Sequence, residues 1–149
     1  MFAARILAAF VLGALAAGCA LSENEQEQDP GAAVTDVLER EYSGDYASAW
    51  DDLHPRHQRL VTREEYEDCR RGFEVAGAIE LVEILGVRDE PLDVYGFRPR
   101  TPSKAVEVRV TTGEDEYKAS YHVVRLDDRW RWVLSDRAAR GFARTDCPA

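Results

Sequence analysis

The stretch WDDLHPRHQRLVTREEYEDC, residues 50–69, holds a dense group of side chains that can do chemistry. Asp51, His54 and His57 follow one another at intervals of three, which would bring all three to one face of an unbroken helix. Two imidazoles, a carboxylate and a water can bind zinc. Pro55, however, interrupts a helix between the two histidines. The sequence therefore favours a helix end, with one histidine at free backbone carbonyls and the other solvated, and predicts no metal and no cofactor.

The opening of the chain, MFAARILAAFVLGALAAGC, has the pattern of an export signal. Arg5 precedes an apolar run over residues 6–18, which is shorter than the roughly 20 residues that a membrane-spanning helix needs. Small residues lead directly into Cys19, and this ending resembles the lipobox of bacterial lipoproteins. The resemblance implies cleavage after Gly18, a diacylglycerol on the Cys19 thiol, and an extracytoplasmic protein anchored in the cell membrane. An ordinary signal peptide cut near Gly18 is the alternative.

The sequence after Cys19 divides into a tether and one domain. Residues 20–31, ALSENEQEQDPG, are polar and acidic, and such a composition cannot bury enough apolar surface to fold. We therefore expect a signal peptide at 1–18, the lipidated cysteine and an acidic tether at 19–31, and a single domain at 32–149. The formal net charge of −9 argues against a nucleic-acid partner, since phosphate binding requires a basic surface. Attachment to membrane lipid is left to the acyl chains.

Two cysteines remain if Cys19 is lipidated, namely Cys69 and Cys147. An even pair of cysteines in an oxidising compartment is typical of a disulfide. The bridge would fasten the terminal DCPA segment to the helix that carries Cys69. Closing so long a loop would stabilise the fold by about 4.5 kcal/mol at most in the chain-entropy model.

The periodicity of the folded part changes once, from helical to strand-like. Apolar residues recur at helical spacing over 32–42 and again from 46 to Pro55, and a T-x-x-E capping box at Thr62 begins a third helix at Arg63. Alternating residues then predict strands at 78–87, 104–112, 117–126 and 129–135, with a bulge at Gly86. We expect an α+β domain in which three N-terminal helices pack on a curved antiparallel sheet.

The order of these elements resembles the nuclear-transport-factor-2-like superfamily. The resemblance covers residues 32–136 and rests on SGDYASAW between the first two helices and DDRWRWVLS at the last strand. AWDDLHP with a terminal CP is similar to exported actinobacterial members, many of them lipoproteins. The resemblance implies a cone with a pocket between helices and sheet, and a homodimer, because members often pair through the sheet. The same fold hosts isomerases, dehydratases, cyclases and binding modules, so it does not by itself fix an activity.

Two functions follow from these patterns. The first is a non-catalytic module that binds a small molecule or a membrane protein, with a pocket edged by Trp50, His54, Tyr66 and Tyr121, since aromatic side chains supply apolar surface. Strand alternation turns no acid inward, so no catalytic base is predicted. The alternative is an isomerase- or dehydratase-like enzyme with a histidine or carboxylate base, such as His122 paired with the aspartate at 51 or 52.

Overall fold

The computed structural model describes residues 29–73, 78–113 and 115–148. The predicted signal peptide, Cys19 and residues 20–28 of the predicted tether lie outside this part, so these assignments stay predictions. The end of the tether was predicted two residues too late, because Asp29 caps α1, which begins at Pro30. None of the helices in the described ranges combines the length and the apolar character that a membrane span requires.

Four helices precede the sheet in the described chain: α1 (Pro30–Ser43), α2 (Tyr46–Asp51), α3 (Pro55–Gln58) and α4 (Arg63–Arg71). Gly44 follows α1 with a φ of 81°, and Asp45 caps α2. Thr62 and Glu65 form the predicted capping box of α4. The second helix was predicted to continue to Pro55, but α2 already ends at Asp51. Pro55 instead starts a short helix of its own, since its fixed φ suits the first helical position.

Four strands form one antiparallel sheet in the order β1-β2-β3-β4: β1 (Leu81–Asp89), β2 (Lys104–Thr112), β3 (Asp115–Leu126) and β4 (Arg129–Trp132). The register between β1 and β2 shifts at Ile84 and Gly86, where a bulge was predicted. β4 is shorter than predicted because Ser135 caps a further helix, α5 (Asp136–Ala143). The α+β class and the antiparallel sheet are thus confirmed. Three helices were predicted, whereas the described ranges contain four helices before the sheet and one after it.

The main core lies between the helices and one face of the sheet. α1 contacts each of the four strands. Val106, Val108 and Val110 of β2 point into this layer, as strand alternation predicted, and all three are fully buried. A smaller cluster of Leu92, Val124 and Val133 lies apart from this core. One sheet face and the helices above it therefore provide the space in which a site can form.

The C-terminal tail is fastened to α4. Cys69 and Cys147 form the predicted disulfide across 78 positions of sequence, with their Cα atoms 5.5 Å apart. Pro148, next to the bridge, packs on Gly141 of α5, where an added Cβ would lie 2.9 Å from the proline Cβ. Glycine is required there because any side chain would push the tail away. The tail is therefore a packed part of the domain.

Candidate functional site

A cavity of about 460 Å³ lies between the helices and the sheet. Most of its wall is aliphatic or aromatic, and the residues that make this apolar wall are Val37, Leu38, Val94, Trp132, Val133, Leu134, Ala138, Phe142 and Pro148. A second group of lining residues is polar, and we call it the polar cluster: Glu41, Arg70, Tyr42, Tyr66, Tyr117 and Tyr121. Four other polar residues also line the cavity: Ser120, His122, Ser135 and Asp136. The cavity thus combines a large apolar surface with several polar groups.

Glu41 is the buried acid of the polar cluster, with 6% of its surface exposed. One carboxylate oxygen pairs with Arg70 Nη2, and the other accepts a hydrogen bond from the Tyr66 hydroxyl. Burial raises the pKa of Glu41, and the nearby Arg70 charge and the Tyr66 hydrogen bond offset part of that rise. A carboxyl group in these surroundings can hold or release a proton closer to neutral pH than an exposed glutamate can.

The tyrosine hydroxyls of the polar cluster form a short chain. Tyr42 Oη and Tyr117 Oη are 2.6 Å apart, and Tyr121 interacts with the Tyr117 hydroxyl. Burial raises the pKa of Tyr117 to about 12, and burial also raises the pKa of Tyr42 and of Tyr121. The three phenols therefore keep their protons at neutral pH and can donate hydrogen bonds.

Regular spacing brings the two charged members of the polar cluster into the cavity. Glu41 follows Val34 and Val37 of α1 by seven and four positions, so it shares their buried face. Arg70 follows Tyr66 by four positions and shares its face of α4. The prediction that no acid faces the cavity is wrong, because Glu41 lines it. Glu41 is on a helix, so strand alternation could not reveal it.

The four residues predicted to edge the pocket lie in two different places. Tyr66 and Tyr121 line the cavity, whereas Trp50 and His54 are not among its lining residues. The indole of Trp50 donates to the carbonyl of Val61 at 3.1 Å, and the guanidinium of Arg63 lies 5.3 Å from the ring centre. Trp50 therefore joins α2 to the start of α4 and does not face the cavity.

Both histidines of the opening stretch bond to backbone groups. His54 caps α3, its Nδ1 accepting from a backbone N–H at 3.1 Å, and its ring packs on Phe97. His57 is fully buried; its Nδ1 accepts from Leu134 N–H, and its Nε2 lies 2.9 Å from the carbonyl of Tyr95. The expectation of one solvated histidine is therefore overturned. No group of three or more potential metal-ligating side chains occurs in the described ranges.

The pairing of His122 with an aspartate is contradicted. His122 borders the cavity, but its Nε2 lies 3.1 Å from a carboxylate oxygen of Glu90. Asp51 pairs with Arg63, and Asp52 pairs with several arginines, including Arg131. The aspartates at the end of α2 therefore neutralise local arginines.

Comparison with known proteins identifies no relative of this chain. No protein-family model matches the chain, and no significant match was found among curated proteins or among solved structures. The function is accordingly argued from the geometry of the cavity.

Proposed function

We propose that this protein binds a small, largely apolar molecule in its cavity without transforming it. The observation that carries the proposal is the cavity itself. Its volume of about 460 Å³ falls within the roughly 300–1,000 Å³ typical of small-molecule sites. Such sites usually have apolar walls and a few convergent polar groups, which is the composition of the apolar wall and the polar cluster.

The proposal extends to the family and the location. The contact of α1 with all four strands and the cavity beneath it support a nuclear-transport-factor-2-like cone. The lipobox pattern that ends at Cys19 supports export as a lipoprotein held by membrane lipid. The disulfide between Cys69 and Cys147 supports export as well, since disulfides persist mainly outside the cytosol. A homodimer and a membrane-protein partner stay predictions.

A fluorescence titration with N-phenyl-1-naphthylamine, a neutral apolar dye, tests the binding function. Ala138 lines the cavity from α5, so Ala138→Trp would fill part of the space. Ala143, an exposed residue of the same helix, provides the matched control Ala143→Trp. We expect the wild type and the control to bind the dye equally, and Ala138→Trp to bind about tenfold more weakly or worse. Absence of wild-type binding, or equal binding by a folded Ala138→Trp, contradicts the proposal.

A second candidate function is favoured by one observation, the buried carboxyl of Glu41. An acid with a raised pKa beside a bound molecule can act as a general acid or base, as in an isomerase or dehydratase. Turnover of a small carbonyl compound that is lost in Glu41→Gln, but kept in Glu39→Gln on the exposed face of α1, would establish this alternative. Binding without turnover supports the non-catalytic function.

A further inference from the structure

The acceptors of the cavity's charged groups are already engaged. Both oxygens of Glu41 have donors, from Arg70 and Tyr66. Asp136, which also borders the cavity, accepts from the backbone N–H of Tyr95 at 2.8 Å and from Arg140 at 2.7 Å. Each carboxylate oxygen can accept a second hydrogen bond, but a cationic ligand would compete with Arg70 and Arg140 for these carboxylates. It would also lie near the positive charge of Arg70, so the cavity suits an amine less well than an acid.

Donors, by contrast, are left over. A guanidinium carries five N–H groups, and Arg70 binds Glu41 through Nη2. Its Nε is enclosed and has no partner among the described residues. The side chain is 31% exposed, and the N–H groups of Nη1 and the second N–H of Nη2 have no other partner in the described ranges. Tyr42, Tyr117 and Tyr121 have three O–H groups but only two contacts among themselves, so within the described part of the chain one O–H is left without an acceptor. The polar cluster therefore offers hydrogen-bond donors to a ligand acceptor.

We propose that the ligand is a small monocarboxylic acid with an apolar body, its carboxylate held by Arg70 and the spare tyrosine hydroxyl. This inference rests on the proposed binding function and names the chemistry of what is bound. A planar guanidinium matches a carboxylate and forms strong charge-assisted hydrogen bonds with it. The apolar wall then encloses the rest of the molecule. A phosphate dianion fits less well, because Arg70 is already shared with Glu41.

The sharing of Arg70 gives Glu41 a distinctive role. The ligand carboxylate and the Glu41 carboxylate would both lie against the guanidinium of Arg70, and two negative charges so close together repel each other. Removing the charge of Glu41 should therefore strengthen the binding of an acid, although Glu41 lines the same cavity. For a ligand bound through Glu41 itself, the same change would weaken binding.

The test compares acids with their own neutral and cationic counterparts by calorimetric titration of the full chain. The probes are 3-phenylpropionate, octanoate and 2-naphthoate, each beside the primary amide and the primary amine with the same body. We expect at least one acid to bind about tenfold more tightly, or better, than its amide, since hydrogen bonds to charged groups are the stronger ones. The amines should bind more weakly than the acids.

Variants test whether Arg70 and Glu41 determine the affinity for the acid. Arg70→Gln should weaken the binding of the acid about tenfold or more while changing that of the amide little, and Glu41→Gln should strengthen the binding of the acid. The matched control is Arg71→Gln, which alters the neighbouring residue of α4, paired outside the cavity with Glu67 and Asp68. It should bind every probe as the wild type does. If Arg70→Gln does not fold, the acid–amide comparison on the wild type and Glu41→Gln still decide the matter.

The outcomes separate the two proposals. Binding of the neutral dye together with amide binding equal to acid binding, or with no acid binding at all, overturns the carboxylate inference and leaves the binding function standing. A weaker acid complex in Glu41→Gln also overturns the inference. Absence of binding for the dye and for every probe contradicts the binding function itself.

Discussion

Trp50 separates a structural role from a ligand-binding role at the scale of one residue. Its indole is half-buried against the main core and bonded to the Val61 carbonyl, but it does not line the cavity. We predict that Trp50→Ala lowers the free energy of unfolding by about 2 kcal/mol, less than the roughly 3–5 kcal/mol of a fully buried aromatic side chain, and leaves dye affinity unchanged in the folded fraction. Urea unfolding followed by circular dichroism measures the first effect. A stable variant with altered dye affinity would show that Trp50 belongs to the site.

The buried histidines make the fold sensitive to acid. Burial lowers the pKa of His57, and burial lowers the pKa of His54 to about 4, whereas an unfolded histidine titrates near 6.5. Below about pH 6.5 the unfolded state therefore binds protons that the folded state does not, so the free energy of unfolding decreases as the pH is lowered. Protonation of His57 would also turn its Nδ1 acceptor into a donor facing Leu134 N–H.

We predict a net fall in the free energy of unfolding between pH 7 and pH 5, because the two histidines outweigh the single carboxyl of Glu41, whose raised pKa acts in the opposite sense. Denaturant titrations at several pH values measure it. His57→Asn should be less stable at pH 7 and show a shallower pH dependence, because one of the two protons is removed. A wild-type stability independent of pH over this range would contradict the buried, neutral histidines.

Single residues of the site differ in how far the sequence could reveal them. Tyr66 and Tyr121 were predictable, because buried aromatic residues at helical or strand spacing usually face the core. Glu41 and Arg70 were not, since charged residues on a helix are mostly solvated, and only their spacing from Val34 and Tyr66 hints at burial. The prediction that Trp50 edges the pocket was wrong because α2 ends one residue later and the chain then turns into α3.

At the scale of elements, boundaries set by local chemistry were predictable and tertiary choices were not. The capping box of α4 and the alternation of β2 are local signals, and both are confirmed. α5 was missed because its eight residues, which include Gly141, are fewer than the roughly 11 over which helical periodicity is usually recognised. Ser135 was assigned to the last strand, although a serine before an aspartate is also a helix N-cap signal.

The disulfide is the element-scale feature with the largest expected effect on stability. It ties the tail after α5 to α4, and in the chain-entropy model so long a loop contributes about 4.5 kcal/mol at most. We predict that reduction lowers the melting temperature by several degrees or more, as measured by circular dichroism with and without a phosphine reductant. A Cys69→Ser/Cys147→Ser variant should melt like the reduced wild type and should not respond to the reductant. Equal melting of oxidised and reduced wild type would contradict a stabilising bridge.

At the scale of the whole molecule, the chain is expected to be a cavity-bearing domain held near a membrane. We predict that intact-mass analysis of membrane-extracted protein finds a chain that begins at Cys19 and carries acyl groups. Cys19→Ala should accumulate as uncleaved precursor or appear in the soluble fraction, because the acyl chains supply most of the membrane affinity. A mature chain with an unmodified thiol, or with a different first residue, would contradict lipid anchoring.

The location of a bound molecule is the central claim, and methyl spectra of the full chain report it directly. Leucine and valine methyl groups are labelled, and N-phenyl-1-naphthylamine is added stepwise. We predict saturable shifts for Val37, Leu38 and Leu134, which line the cavity, and much smaller shifts for Leu92 and Val124, which belong to the smaller cluster and do not line it. Shifts confined to the exposed apolar residues of β1 that carry the label, Leu81 and Val87, with no change at the cavity, would contradict the proposed binding site.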